Sequence, residues 1–187
     1  MIVYENDTHY YLCLCNMKTT LFLVILALIP ISAIAQSDPD FNQQIELSGD
    51  FLNLNLNSGN GIYKGNFIAK QGSMRIEGNE IKLKQKANKE LDNLIASGDP
   101  VRFKKKNYST GEIVSGIAKK ITYDANKLLV ILEGNAEIRT DHGKSFKSQI
   151  ITYGLTTGEI EAKGNSQRRV QVVIPPSRTR DSVPIVN

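Results

Sequence analysis

Few side chains in this sequence are of a kind that does chemistry, and their spacing works against it. The chain has 187 residues with two histidines and two cysteines. His142 stands in "TDHGK", between two runs that alternate apolar and polar residues. An imidazole can act as a general base or bind a metal. At a hairpin tip, however, it reads as a solvated turn residue. A Ser-His-Asp set would have to use this one exposed ring, and no G-x-S-x-G elbow occurs. The carboxylates Glu77 and Glu80 could share acid–base work. Lys82 and Lys84 follow them closely, so solvated strand charges explain them better. Cys13 and Cys15 lie one residue apart, a poor spacing for a shared zinc, and no Cys or His pair follows. The expectation is a protein that is not an enzyme, with no catalytic residue, no bound metal and no cofactor.

The N-terminal region precedes anything that could position a site. "MKTTLFLVILALIPISAIA" (Met17 to Ala35) has a lysine beside a methionine, a short apolar run, a proline and a small-x-small ending. This is the layout of a cleaved secretory signal peptide. Its apolar run is shorter than the roughly 20 residues of a membrane span. A retained anchor helix is the alternative, because Ile31 and Ile34 extend the run. Residues 1–16 then read as an upstream extension, with Met17 as the start. Both cysteines fall in that extension, so the exported chain would be free of cysteine, which suits a bacterial periplasm. Residues 36–176 are expected to form one domain. Residues 177–187, rich in charge, serine and proline, are expected to be a disordered tail.

The formal net charge is +4. Basic residues cluster at Lys82, Lys84, Lys86 and Lys89, at Lys104, Lys105 and Lys106, and at Arg168 and Arg169. Solvated strand faces account for most of these. An anionic partner is the functional reading. Nucleic acid is not expected, since aromatic residues are not interleaved as stacking platforms. A phosphorylated lipid fits better.

Strand signals recur throughout. "IELSGDFLNLNL", "VRF", "ITY", "LLVILEGNAEI" and "VQVVI" all alternate. The one helical-looking stretch, "KQKANKELDNLIASG", has few apolar residues on any face. It reads as a long hairpin or loop with a strand at Leu94 to Ser97. Glycine is followed by Asn or Asp at Gly49, Gly65, Gly78, Gly98, Gly134 and Gly164. Ordinary hairpin turns would explain these pairs. Their repeated placement relative to the apolar residues favours corners stacked above one another, where positive φ is tolerated. Two halves of the chain also superpose. Tyr63, Gly65, Phe67 and Ala69 correspond to Leu132, Gly134, Ala136 and Ile138, and Ile81 and Leu83 match Ile151 and Tyr153 after a one-residue slip. Stacked hairpins follow: an all-β, open, folded-over antiparallel sheet or jelly roll. Hydrophobic content is only 41%, so the core should be thin or elongated.

The remaining feature is the apolar side of the strands. Leu128, Val130, Leu132, Ala136 and Ile138 share one side, as do Tyr63, Phe67 and Ala69. A plain sheet core would use some of them. In an open folded sheet the same face also makes a groove, and an apolar groove with a basic rim suits acyl chains carrying an anionic head group.

The stretches "YKGNFIAKQGSMRIEGNEIKL", "ASGDPVRF", "SGIAKKITYDANKLLVILEGNAEI", "SQIITY" and "RRVQVVIPPS" resemble the LptA/OstA-like family of periplasmic lipopolysaccharide-transport bridge proteins. The likeness covers most of the span from Phe41 to Ser177. It rests on the order and spacing of Gly-Asn turns and strands, with no single diagnostic motif. The resemblance implies a slightly twisted β-jelly roll, open at both ends, whose interior takes the acyl chains of lipopolysaccharide. It implies head-to-tail stacking of protomers between inner-membrane and outer-membrane components of the transport machinery. It also places Ile45, Leu47, Phe103, Tyr123 and Ala125 near lipid, with Ile81 and Leu83 beside them. Ala125 is smaller than the apolar residue expected there, so the groove should be wider at that point. With Tyr63, Phe67, Leu132, Ala136 and Ile138 from the alternating faces, these form the candidate lipid-binding set. A membrane-anchored component of the same system, or a secreted β protein that binds something other than lipid, are the alternatives.

Overall fold

The structure is a computed structural model that describes residues 38–176. The upstream extension, the signal peptide and the tail lie outside the described residues. A short 3-10 turn, Pro39–Asn42, comes first. Six long strands follow as an antiparallel meander: β3 (Asn60–Gln71), β4 (Met74–Gln85), β5 (Leu91–Lys106), β6 (Ile113–Asp124), β7 (Leu129–Thr140) and β8 (Ser145–Gly154). Two short strands, β1 (Glu46–Ser48) and β2 (Phe51–Asn55), both pair with β3. Two more, β9 (Ile160–Lys163) and β10 (Gln171–Val173), both pair with β8. Among the described residues no helix is long and apolar enough to cross a membrane.

Strands this long cannot stay flat, and the sheet bends along one line. The pairing register breaks at Lys64/Phe67, Glu77/Glu80, Ser97/Val101, Ile117/Lys120 and Glu133/Ala136, at the same level in successive ladders. Extra residues at such a break kink a strand and increase its twist. Every Gly-Asn or Gly-Asp pair singled out above lies on this crease. Four are inside strands. Gly49-Asp50 separates β1 from β2, and Gly164-Asn165 separates β9 from β10. At two of the corners both residues take the left-handed conformation: Gly65 and Asn66 have φ of 71° and 45°, and Gly134 and Asn135 have 79° and 53°. Glycine adopts it freely and asparagine at little cost. The pairs are therefore corners; the hairpin turns lie elsewhere, for example at Gly72-Ser73 and at Asp141–Gly143.

The crease folds the sheet over so that its two halves face each other. Phe103 from one half packs against Tyr153 from the other, with ring centroids 6.1 Å apart. The Tyr123 hydroxyl donates across the fold to Gln71 Oε1 at 3.4 Å. At Gly116 the halves come so close that a Cβ would lie 2.7 Å from Leu132 Cδ2. Gly116→Val should therefore cost about 1–3 kcal/mol through overpacking. A shift in the urea midpoint checks this, and an unchanged midpoint would mean that the halves can separate there at no cost.

Two expectations are corrected. The strand expected at Leu94 to Ser97 is part of β5, which starts at Leu91 and runs unbroken by turn or loop to Lys106. The sequence reads as one strand at each terminal edge, "QQIELSG" (Gln43 to Gly49) and "RRVQVVI" (Arg168 to Ile174). Each edge instead consists of two short strands laid end to end on β3 or β8. The reason is the crease, since an edge strand crossing it must bend there as its neighbours do.

Candidate functional site

The inward side chains form rows that cross all the long strands. On one side of the crease runs Leu47, Ala69, Ile76, Phe103, Gly116, Ile138, Phe146 and Val172, each directly opposite the next in the ladders. The other side has two such rows. One runs from Leu52 through Tyr63, Ile81, Ala96, Ile121, Leu132 and Ile151 to Ala162. The second runs from Leu54 through Leu83, Leu94, Tyr123, Val130 and Tyr153 to Ile160. The centres of these rows are sealed. Phe67, Ile81, Phe103, Tyr123, Leu132, Ala136 and Ile138 are all buried. The row ends are open: Leu52 is 46% exposed, Leu54 39% and Val172 49%. The apolar interior thus runs from one terminal edge to the other and emerges at both.

The candidate residues divide along this axis. Phe67, Ile81, Phe103, Tyr123, Leu132, Ala136 and Ile138 are brought together in the sealed centre. Leu47, Tyr63, Leu83 and Ala125 are partly buried against it, and Ala125 belongs to the β6–β7 turn. Ile45 is half-buried just before β1. In the centre the groove is filled by the protein's own side chains, because the two halves of the sheet serve as each other's second layer.

The outer face accounts for most of the charge. Glu80 Oε2 is 3.6 Å from Lys64 Nζ and Glu80 Oε1 is 3.5 Å from Lys82 Nζ, while Glu77 pairs with Arg75 at 2.7 Å. Lys84 meets Asp92 at 3.1 Å and Lys120 meets Glu133 at 2.7 Å. These pairs, some within β4 and some between strands, make Glu77 and Glu80 ordinary strand charges. Exposed pairs like these contribute little stability each. His142 sits at the β7–β8 turn, as its sequence context suggests, but it has partners. Its Nδ1 is 2.7 Å from Glu112 Oε1, which also accepts from Lys144 Nζ at 3.0 Å. Those two bonds, from Lys144 first and then His142, hold the Glu112 carboxyl below its usual value. Among the described residues no three His, Cys, Asp or Glu side chains form a group that could hold a metal.

One cluster was not anticipated. Lys105, the middle lysine of "KKK", points inward and is fully buried. It contacts Asp38 and Asp40 from the 3-10 turn. Burial alone would raise the Asp40 pKa, but hydrogen bonds from Lys105 and Ser73 outweigh it and hold the carboxyl below the usual value. The stability Asp40 contributes is thus present above the ordinary carboxylate pKa and is lost as pH falls through the lowered one. A signal was available: Lys105 has the same parity as Val101 and Phe103.

A creased antiparallel sheet whose apolar interior is continuous between its two terminal edges has a shape that suits elongated apolar molecules. Residues 46–159 match the family described as LptA/(LptD N-terminal domain) LPS transport protein. The chain is 30% identical over 164 residues to the lipopolysaccharide export system protein LptA of Haemophilus influenzae, covering 87% of this chain and 94% of that one. It is 26% identical to LptA of Escherichia coli K12, covering 76% of each. The crystal structure of LptH from Pseudomonas aeruginosa superposes with a TM-score of 0.68 at 25% identity, over 74% of this chain and all of that one. LptH is described as the LptA-homologous periplasmic component of the lipopolysaccharide transport device. The chain belongs to the LptA/LptD N-terminal-domain family of lipopolysaccharide transport proteins, and its fold is that family's β-jelly roll.

Proposed function

We propose that the protein carries lipopolysaccharide across the periplasm, holding the acyl chains inside the folded sheet and passing them along an end-to-end protein bridge. The observation that carries this reading is the continuity of the apolar rows from Leu47, Leu52 and Leu54 at one edge to Val172, Ala162 and Ile160 at the other. Family membership and the names of the relatives support the cargo. Those relatives are named as export-system proteins, which favours transport over catalysis. The proposed lipid contacts are the candidate set above. Half-buried Leu47, Tyr63 and Leu83 receive chains first, and the central residues take them as the sheet halves part.

Photo-crosslinking tests the cargo and the route together. A photo-reactive residue at Tyr63 or Leu83, on inward rows, should form adducts with lipopolysaccharide in cells. The same residue at Lys119 or Thr122, off the inward rows, should give few. Equal yields at all four positions would defeat an interior route, and no adducts at any would defeat the cargo.

The bridge follows from the edges. Each terminal edge presents two short strands, with exposed Phe51, Leu52 and Leu54 at one and Val170, Val172 and Val173 at the other. Unpaired strand edges recruit further strands. Pairing the β1/β2 edge of one molecule with the β9/β10 edge of the next extends the sheet by β-augmentation. It also aligns the inward rows of the two molecules. Stacks of this kind would join the inner-membrane and outer-membrane components of the transport machinery.

A further inference from the structure

The polar cluster around Lys105 stands apart from the apolar rows, near the end of β5 beyond Phe103. Lys105 Nζ is 2.6 Å from Asp38 Oδ2 and 2.6 Å from Asp40 Oδ2. The rings of Phe41 and Tyr108 flank it at 5.6 and 5.3 Å. Asp40 also accepts from Ser73 N at 2.8 Å, Ser73 Oγ at 2.5 Å and Tyr108 Oη at 3.0 Å. Two buried hydroxyls of the interior are poorly used. Tyr153 Oη is buried with no hydrogen-bond partner, since the neighbouring Asn107 amide is not in bonding geometry. Tyr123 Oη has only its 3.4 Å contact to Gln71. Burial first, and then the charge of Asp38, opposes ionisation of both phenols.

The donors and acceptors have different origins. The ammonium, the hydroxyls and the Ser73 amide are fixed on strands and hairpin turns of the jelly roll. Both carboxylates come from one short segment, Asp38–Asn42, that is not part of the sheet. Its seat is shaped for it. Gly72 has φ of 57°, and a Cβ there would collide with the Asp40 carboxylate. A buried ammonium without an anion is strongly disfavoured, so this site requires a negative group, and the segment supplies one. A phosphate monoester would meet the same donors, with roughly two negative charges and three acceptor oxygens.

We propose that Asp38–Asn42 is a removable plug. Its two carboxylates hold the place of a phosphate group on the lipid, which takes over Lys105, Ser73 and Tyr108 when the plug leaves. This rests on the lipid-carrier reading and adds to it a specificity site for the anionic head group.

Hydrogen–deuterium exchange on the full-length protein tests the proposal without any substitution. Phosphorylated lipid A should speed exchange at the amides of Asp40 and Ser73 by about tenfold or more, as expected for a locally opened segment. The same lipid stripped of its phosphates should leave them protected. Inorganic phosphate alone, which brings no acyl chains, should also leave them protected; release by it would overturn a lipid as the source of the phosphate. In binding measurements, the D38N/D40N double variant should hold phosphorylated lipid A several-fold more tightly than the wild type. Lys105→Met should lose the preference for the phosphorylated form. The plug is overturned if wild-type protein binds both lipids equally with the segment still protected, or if D38N/D40N binds no tighter; the carrier reading survives either result. Wild-type protein that retains neither lipid overturns the carrier reading and the plug together.

Discussion

Phe103→Ala should lower the stability of the jelly roll by about 3–5 kcal/mol, the range for truncating a large aromatic side chain in a packed core. Phe103 is 2% exposed and faces Tyr153 across the fold. Removing its ring leaves a cavity that Gly116, directly opposite in the ladder, has no side chain to fill. Phe103→Asp should be worse. A groove open to water along its whole length would let an aspartate at 103 hydrate, and binding would suffer more than folding. The sealed centre reverses that expectation: an unpaired carboxylate there has no water and no partner, and the chain should fail to fold at neutral pH. Leu54→Ala, at the open end of an inward row, should cost no more than about 0.5 kcal/mol. Urea titrations followed by far-UV circular dichroism would compare the variants. If Phe103→Ala and Leu54→Ala cost the same, the centre is not packed as a core, and lipid could enter it without first parting the sheet.

The sequence made some of this legible and hid the rest for identifiable reasons. The Gly-Asn and Gly-Asp pairs could be read as stacked corners because their backbone requirement is written in residue type. The crease is complete, however, only because β6 bends at Ala118-Lys119 and β8 near Gln149, where no glycine or asparagine announces it. Alternation was misleading at the same line. In β5 the inward residues are Leu94 and Ala96 before the corner and Val101, Phe103 and Lys105 after it, so the inward parity inverts. The same inversion occurs in β4, between Ile76 and Ile81, and in β8, between Ser148 and Ile151. It does not occur in β3 or β7, where Phe67 and Ala136 keep the parity of Tyr63 and Leu132. The one-residue slip between the superposed halves comes instead from the hairpin turns, since the facing residues Ala69 and Ile76 are seven positions apart and Ile138 and Phe146 are eight. Lys105 was hidden by its neighbours, because three lysines in a row look like a solvated run until β5 fixes which of them faces inward. Its aspartate partners lie 65 and 67 positions earlier in the chain, too far for any local pattern to connect them.

Removing residues 168–187 should abolish end-to-end growth while leaving a folded protein that binds lipid. The deletion takes away β10, which is held to β8 by only three residue pairs, Gln171–Lys147, Val172–Phe146 and Val173–Ser145. The long strands β3 to β8, the crease and the buried rows do not depend on it. In sedimentation across a concentration series, the full-length protein should gain mass as concentration rises. A heterologous edge contact does not close on itself, so it grows open stacks instead of stopping at dimers. The truncated protein should stay monomeric. Because the deletion also bares the first half of β8, a second variant keeps the chain intact. Val172→Lys puts a charge on the terminal edge at the end of an inward row, and lysine at such positions is a common block to edge pairing. Both variants should keep the wild-type circular dichroism spectrum. A full-length protein that remains monomeric at every concentration, or variants that grow as it does, would rule out this edge. The two edges also make a directional claim. If β10 is one half of the contact, Leu52→Lys on the opposite edge should block growth just as well, and the two single variants mixed together should recover no more than dimers. Each would still offer one intact edge, and only the pair formed from those two can join.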